Sequence, residues 1–168
     1  NNGRNFKGTL NLNRLNKLTS KTNMLLKFNG QLAADNLDGA DQLSLGGPSA
    51  VRAYPSNEAA GDSGFIASVE LKRNLFKNIE STLFYDYGKI KLHKKLWNDW
   101  NSTNTGLKNN YHLQGYGVSL GIPIFNSFNV NASFARKISH NSGRDGNGND
   151  VDGLNWQDRG LISINGRF

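Results

Sequence analysis

The side chains with chemical potential in this chain are an arginine in a glycine-rich loop, two strand carboxylates and a few scattered histidines. Arg52 stands in Leu45-Gly46-Gly47-Pro48-Ser49-Ala50-Val51-Arg52-Ala53-Tyr54, and its planar guanidinium suits a two-pronged grip on a carboxylate. Gly61-Asp62-Ser63-Gly64 has the look of a serine nucleophile segment, but Phe65 follows where such a segment continues with glycine. No His and Asp fall in supporting motifs, so an activated serine has no machinery. His93, His112 and His140 lack metal-ligand spacing. Asp145 to Asp152 has the composition of a calcium loop without its sixth-position glycine or twelfth-position glutamate, where Trp156 stands. The expectation is a charge pair rather than an active site: no catalytic residue, no cofactor and no metal.

The elements that position these residues are strands. From Phe65 the chain alternates, with Phe65, Ala67, Val69 and Leu71 on one face and Ser68, Glu70 and Lys72 on the other. Another strand runs from Ser81 to Gly88, with Leu83, Tyr85 and Tyr87 opposite Thr82, Phe84, Asp86 and Gly88. Between Leu43 and Gly64 the chain holds too much Gly and Pro for a regular strand or helix. Its Leu43, Leu45, Val51 and Tyr54 argue for an ordered loop rather than a disordered one.

The order of these residues resembles the two-partner secretion transporters of the bacterial outer membrane, the haemolysin activation/secretion (TpsB) family. The loop of that family reads L-G-G-x-x-S-V-R-G-Y, then G-D-x-G and a strand ending S-x-E-L. Here Ala53 stands at the usual glycine and Ala50 at the usual serine. The resemblance implies a signature loop, about residues 35–64, folded back into the lumen of a transmembrane barrel. It also implies that Arg52 pairs with Asp86, whose Phe84-Tyr85-Asp86-Tyr87-Gly88 is similar to the F-x-D-x-G strand motif of the family. Glu70 faces the same way and is expected to share Arg52 or a nearby lysine. Gly46, Gly47, Gly61 and Gly64 are expected to serve backbone geometry, Tyr54 to pack the tip against the wall, and Val51 and Asp62 to belong to the loop framework. Phe168, ending an alternating strand, resembles the signal by which such barrels are handed to the barrel-assembly machinery.

The chain has 168 residues, no Cys, three Pro and a net charge of +7. Its mean hydropathy is −0.59. No run approaches the ~18 apolar residues of a membrane helix, but barrel strands need only about 9–11, half of them polar. The basic residues are spread out, with Lys89, Lys91, Lys94 and Lys95 as the one cluster and no nucleic-acid module beside them. Nucleic acid is therefore not an expected partner.

In order, the chain reads as seven strands: Phe6–Leu18, Met24–Leu32, Phe65–Leu71, Ser81–Gly88, Gln114–Ile122, Phe128–Phe134 and Asp158–Phe168. The alternation slips near Arg14-Leu15, which suggests a bulge or a strand end. Turns alternate short and long, the asymmetry of outer-membrane barrels. The fold class expected is all-β: an antiparallel transmembrane β-barrel, of which this is the C-terminal seven strands. By resemblance the whole barrel has about sixteen strands, with upstream POTRA domains. The chain begins within a strand and is read as lacking its N-terminal part. The function so implied is passage of a large secreted exoprotein (TpsA type) from periplasm to cell surface, with outer-membrane lipid around the barrel. The alternatives are a barrel-assembly insertase of the same superfamily and a general porin-like barrel.

Overall fold

The computed structural model describes residues 6–103, 106–124 and 127–166. Strands β1 (Lys7–Lys17), β2 (Thr22–Ala33), β5 (Ser63–Asn74), β6 (Glu80–Lys91), β7 (Asn110–Ile124), β8 (Phe128–Lys137) and β9 (Asp158–Gly166) form one sheet. Each pairs antiparallel with the next in the order β1-β2-β5-β6-β7-β8-β9. Between β2 and β5 the chain leaves the sheet and makes a two-stranded ribbon, β3 (Leu43–Ser44) with β4 (Ala60–Gly61). That ribbon was not foreseen, because two residues are too few to show an alternation. No helix is long and apolar enough to cross a membrane among the described residues, which says nothing against crossing with strands.

The sheet is inside out relative to a soluble protein. Leu83 is 58% exposed and Ile162 73%, while Glu70 is 3% exposed and Asp86 fully buried. Along β5, β6 and β7 the apolar face therefore looks outward and the polar face is covered, whereas β1 and β9 are largely exposed on both faces. Water would punish such a face; hydrocarbon would not. The cover is the chain's own loop. Leu45, Val51, Ala53, Tyr54 and Ala59 pack on Ile66, Phe84, Ile90, Leu113 and Ala135 of the wall. The hydrophobic core of this fold is that contact.

Register explains how the loop fits. Across the inner face, Lys27, Ser68, Asp86, Gly115 and Lys137 stand in one row, each opposite the next. Glycines leave a trough where larger side chains would block the tip. A Cβ on Gly115 would stand 2.5 Å from the Cβ of Ala53, and one on Gly88 would stand 2.9 Å from Leu45 and 3.1 Å from Val51.

One expectation is corrected. β1 pairs with β2 without interruption from Lys7–Ala33 to Lys17–Asn23, so there is no bulge at Arg14-Leu15. The slip in pattern instead turns Arg14 to the outer face, opposite Leu26, and Leu15 inward opposite Leu25. Gln114 lies on the outer face with Tyr116, where it accepts a 2.9 Å hydrogen bond from the Tyr85 hydroxyl. Phe168 lies outside the described residues.

If the trough seats the loop, Gly88→Val will loosen it without unpairing the strands. Overpacking of this kind costs about 1–3 kcal/mol. Limited trypsin digestion of the folded protein in detergent should then cut after Arg52 much faster than in wild type, while strand content by circular dichroism stays unchanged.

Candidate functional site

The loop tip arrives on the wall at a point the strands have prepared. Asp86 sits mid-strand in β6 with Ser68 opposite it on β5, and the Ser68 hydroxyl donates a 2.7 Å hydrogen bond to Asp86 Oδ1. Arg52 then closes on the carboxylate from three directions. Its Nη2 lies 2.8 Å from Oδ1, its Nε 2.9 Å from Oδ2, and its backbone N–H donates to Oδ2 at 3.1 Å. The two side-chain bonds form the parallel fork that only arginine can make. The guanidinium carbon lies 3.5 Å from the centre of the Phe84 ring, so the charge also rests on an aromatic face.

Glu70 is the second acid of the site. Its Oε1 lies 3.0 Å from Arg52 Nη2 and accepts a 2.8 Å hydrogen bond from Lys27 Nζ, with Lys72 at 3.7 Å on the other oxygen. Arg52 thus bridges two carboxylates, and Lys27 and Lys72 offset the second negative charge.

The remaining framework residues have distinct jobs. Gly47 has φ of +115°, which a residue with a Cβ rarely adopts. Gly46 has Pro55 O where a Cβ would be, at 2.1 Å. Gly61 and Gly64 let the loop end run close against Lys91 O and Lys89 O. Ala53 is not among the positive-φ residues, so a β-carbon is tolerated there and fills the space over Gly115. Val51 is fully buried and its N–H donates to Leu45 O, closing the tip on itself. The fully buried Asp62 accepts from the amides of Leu37 and Lys94 and from the Gln42 side chain, tying the loop base to the β6–β7 connection. Tyr54 is buried and its hydroxyl donates to Ser139 O at 2.9 Å, in the β8–β9 connection; burial pushes its phenol up to about 12.

One buried group escaped the sequence reading. Glu58, on the returning limb of the loop, accepts a 2.6 Å hydrogen bond from Asn141 Nδ2 and a 2.8 Å bond from the Val151 amide. Asn141 also donates to Asp150, which forms an ion pair with Lys137. The inward phase of Ser133, Ala135 and Lys137 was the available signal. Its partners lie in the polar segment that resembled a calcium loop. There Asp145 Oδ1 accepts from the amides of Asn147 and Asn149, a local turn. No group of three metal-ligating side chains occurs among the described residues.

The chain matches the family model of the haemolysin secretion/activation protein ShlB/FhaC/HecB over residues 1–122, most of its length. The chain belongs to that family. It is also similar to the heme/hemopexin transporter protein HuxB of Haemophilus influenzae, at 33% identity over 118 residues. That stretch is 68% of this chain and 20% of the relative. HuxB of a second Haemophilus influenzae strain matches with the same identity and coverage. The chain thus spans about a fifth of the length of the curated relatives it matches. No solved structure matches it. As a member of this family of secretion proteins, the chain is a partial β-barrel of the outer membrane of a Gram-negative bacterium.

Two measurable consequences follow from the geometry. Asp86→Asn removes the negative charge while keeping the shape, and a hydrogen bond to a charged group is worth about 1.5–3 kcal/mol. Hydrogen exchange of the Val51 to Tyr54 amides should therefore accelerate roughly tenfold or more. The second concerns pH. Burial, joined by the nearby Asp150 charge, raises the Glu58 carboxyl above its ordinary 4.5, against the lowering effect of its two hydrogen bonds and of Lys137. The folded chain therefore holds this proton more tightly than the unfolded chain. Its contribution favours docking at low pH and is lost as pH rises from about 4.5 through the raised value. Comparing loop exchange in wild type and Glu58→Gln across that interval should show the loss in wild type alone.

Proposed function

We propose that these strands form part of a pore that passes a large secreted exoprotein from periplasm to cell surface in two-partner secretion, and that the inserted loop is its plug. The observation that carries the reading is the Arg52 fork on a buried Asp86, made by a loop lying along the inner wall. Membership of a haemolysin secretion/activation family supports the substrate class and favours secretion over barrel assembly or general diffusion. Arg52, Asp86 and Glu70 act as the latch. Opening requires the fork to let go while Lys27 and Lys72 remain on Glu70. Translocation is passive, with no catalytic step, and the transported chain is drawn outward by its own folding.

The outer face supports lipid as the surrounding medium. Phe28, Phe65, Tyr87 and His112 stack in a ladder with ring centres 5.7, 5.9 and 5.6 Å apart, on the side of the sheet toward the long connections. Aromatic girdles of this sort mark the border between hydrocarbon and headgroups. By this reading the barrel is completed by further strands, delivered to the membrane by the barrel-assembly machinery with Phe168 as part of the signal. Nucleic acid has no role.

The test uses the full-length protein, restored in a deletion strain. Deletion should remove one large protein from the medium and leave other outer-membrane barrels at normal levels. Restoring wild type should bring secretion back, and Asp86→Arg should not. A general depletion of barrels would instead identify an insertase.

A further inference from the structure

The Arg52 fork holds only the tip of the loop. A second set of contacts holds its returning limb, and these come from a different part of the wall. Glu58 is 4% exposed, and both its oxygens are taken by the connection between β8 and β9. That connection is not loosely draped. The amide of Asp150 donates to Leu154 O and the amide of Gly153 to Asp150 O, each at 2.9 Å, which fixes a tight turn. The Asp150 carboxylate then reaches Lys137, whose ammonium also lies 5.0 Å from the Tyr54 ring centre. A continuous buried path therefore runs from β8 through Lys137 and Asp150 to Asn141, and from there to Glu58.

We infer that Glu58, Asn141, Asp150 and Lys137 are positioning residues that fasten the inserted loop to the β8–β9 connection, as a second hold independent of Arg52. This rests on the reading of the loop as a plug. The physical argument is one of burial. A carboxylate this enclosed is tolerable only while its donors stay in place. The loop can leave the wall only if Glu58 gives up both donors, so the β8–β9 connection must shift or the limb must slide free. The partners are not interchangeable with water until that happens. Val151, whose amide is one of the two donors, is 62% exposed. The fastener therefore lies one residue from the open surface at the end of the sheet where the long connections gather.

The two holds act on one loop through different strands, β5 and β6 for Arg52 and β8 for Glu58. Their loss should multiply rather than overlap, as for sites without shared partners. Single-channel conductance of the full-length protein in planar bilayers reads this directly, with heat-resistant gel mobility confirming a folded barrel for each variant. Glu58→Ala and Asn141→Ala, each removing two hydrogen bonds to charged groups, should each raise the fraction of open time roughly tenfold or more. Glu58→Gln, which keeps a carbonyl acceptor, should recover most of the closed behaviour. Glu58→Ala combined with Asp86→Ala should open by about the product of the single effects. Opening by Asp86→Ala with none by Glu58→Ala or Asn141→Ala would overturn the inference and leave the plug standing. No opening by any of them would overturn the plug and this second hold together.

Discussion

The structure depends on one constraint: a carboxylate stands on the inner wall and, among the described residues, the cation paired with it comes from the loop. Asp86 is fully buried, and its one wall-side donor among the described residues is the Ser68 hydroxyl. Leaving such a charge uncompensated costs several kcal/mol, about 3–5 when fully enclosed. The loop supplies the guanidinium and a backbone N–H together, so docking the tip and satisfying the acid are the same event. The glycine trough serves this geometry, because the tip can bring Arg52 down to Asp86 only if Gly88 and Gly115 offer no side chains.

This arrangement explains why the chain has a core at all. A sheet with its apolar face turned outward has no hydrophobic reason to cover its polar side. Leu45, Val51 and Tyr54 cover it nonetheless, on a few apolar wall positions, Phe84, Ile90 and Leu113. Polar anchors and apolar contacts are interleaved there: Arg52 lies over Phe84, and Lys137 over Tyr54. Such a contact is specific, because the ion pairs fix where the apolar side chains must sit.

Much of this was legible in the sequence, and the exceptions have physical causes. Period-two alternation on β5 and β6 located Asp86 and Glu70 on one face because each of these strands has an apolar outer side and a covered polar one. On β1 the alternation misled, since near its end the outer face takes Arg14 and the inner face Leu15, and pattern alone cannot distinguish that from a bulge. Gln114 likewise puts a polar group on the outer face, with the Tyr85 hydroxyl as its partner. Glu58, Asn141 and Asp150 were invisible because loop segments have no period and their meeting is wholly tertiary. Ala53 shows the opposite case. A departure from the family pattern turned out to be a fit, the methyl group lying over the bare backbone of Gly115.

The central claim is that Arg52 holds the loop tip on the wall through Asp86. Spin labels placed at Ser49, exposed beside the tip, and at Lys89, on the outer face of β6, would report the tip-to-wall distance in the full-length barrel by pulsed dipolar spectroscopy. One narrow distance in wild type, giving way to a broad and longer distribution in Asp86→Ala, is the result the account predicts. The same narrow distance in both proteins would mean that the loop stays on the wall without the fork, and the account would fail.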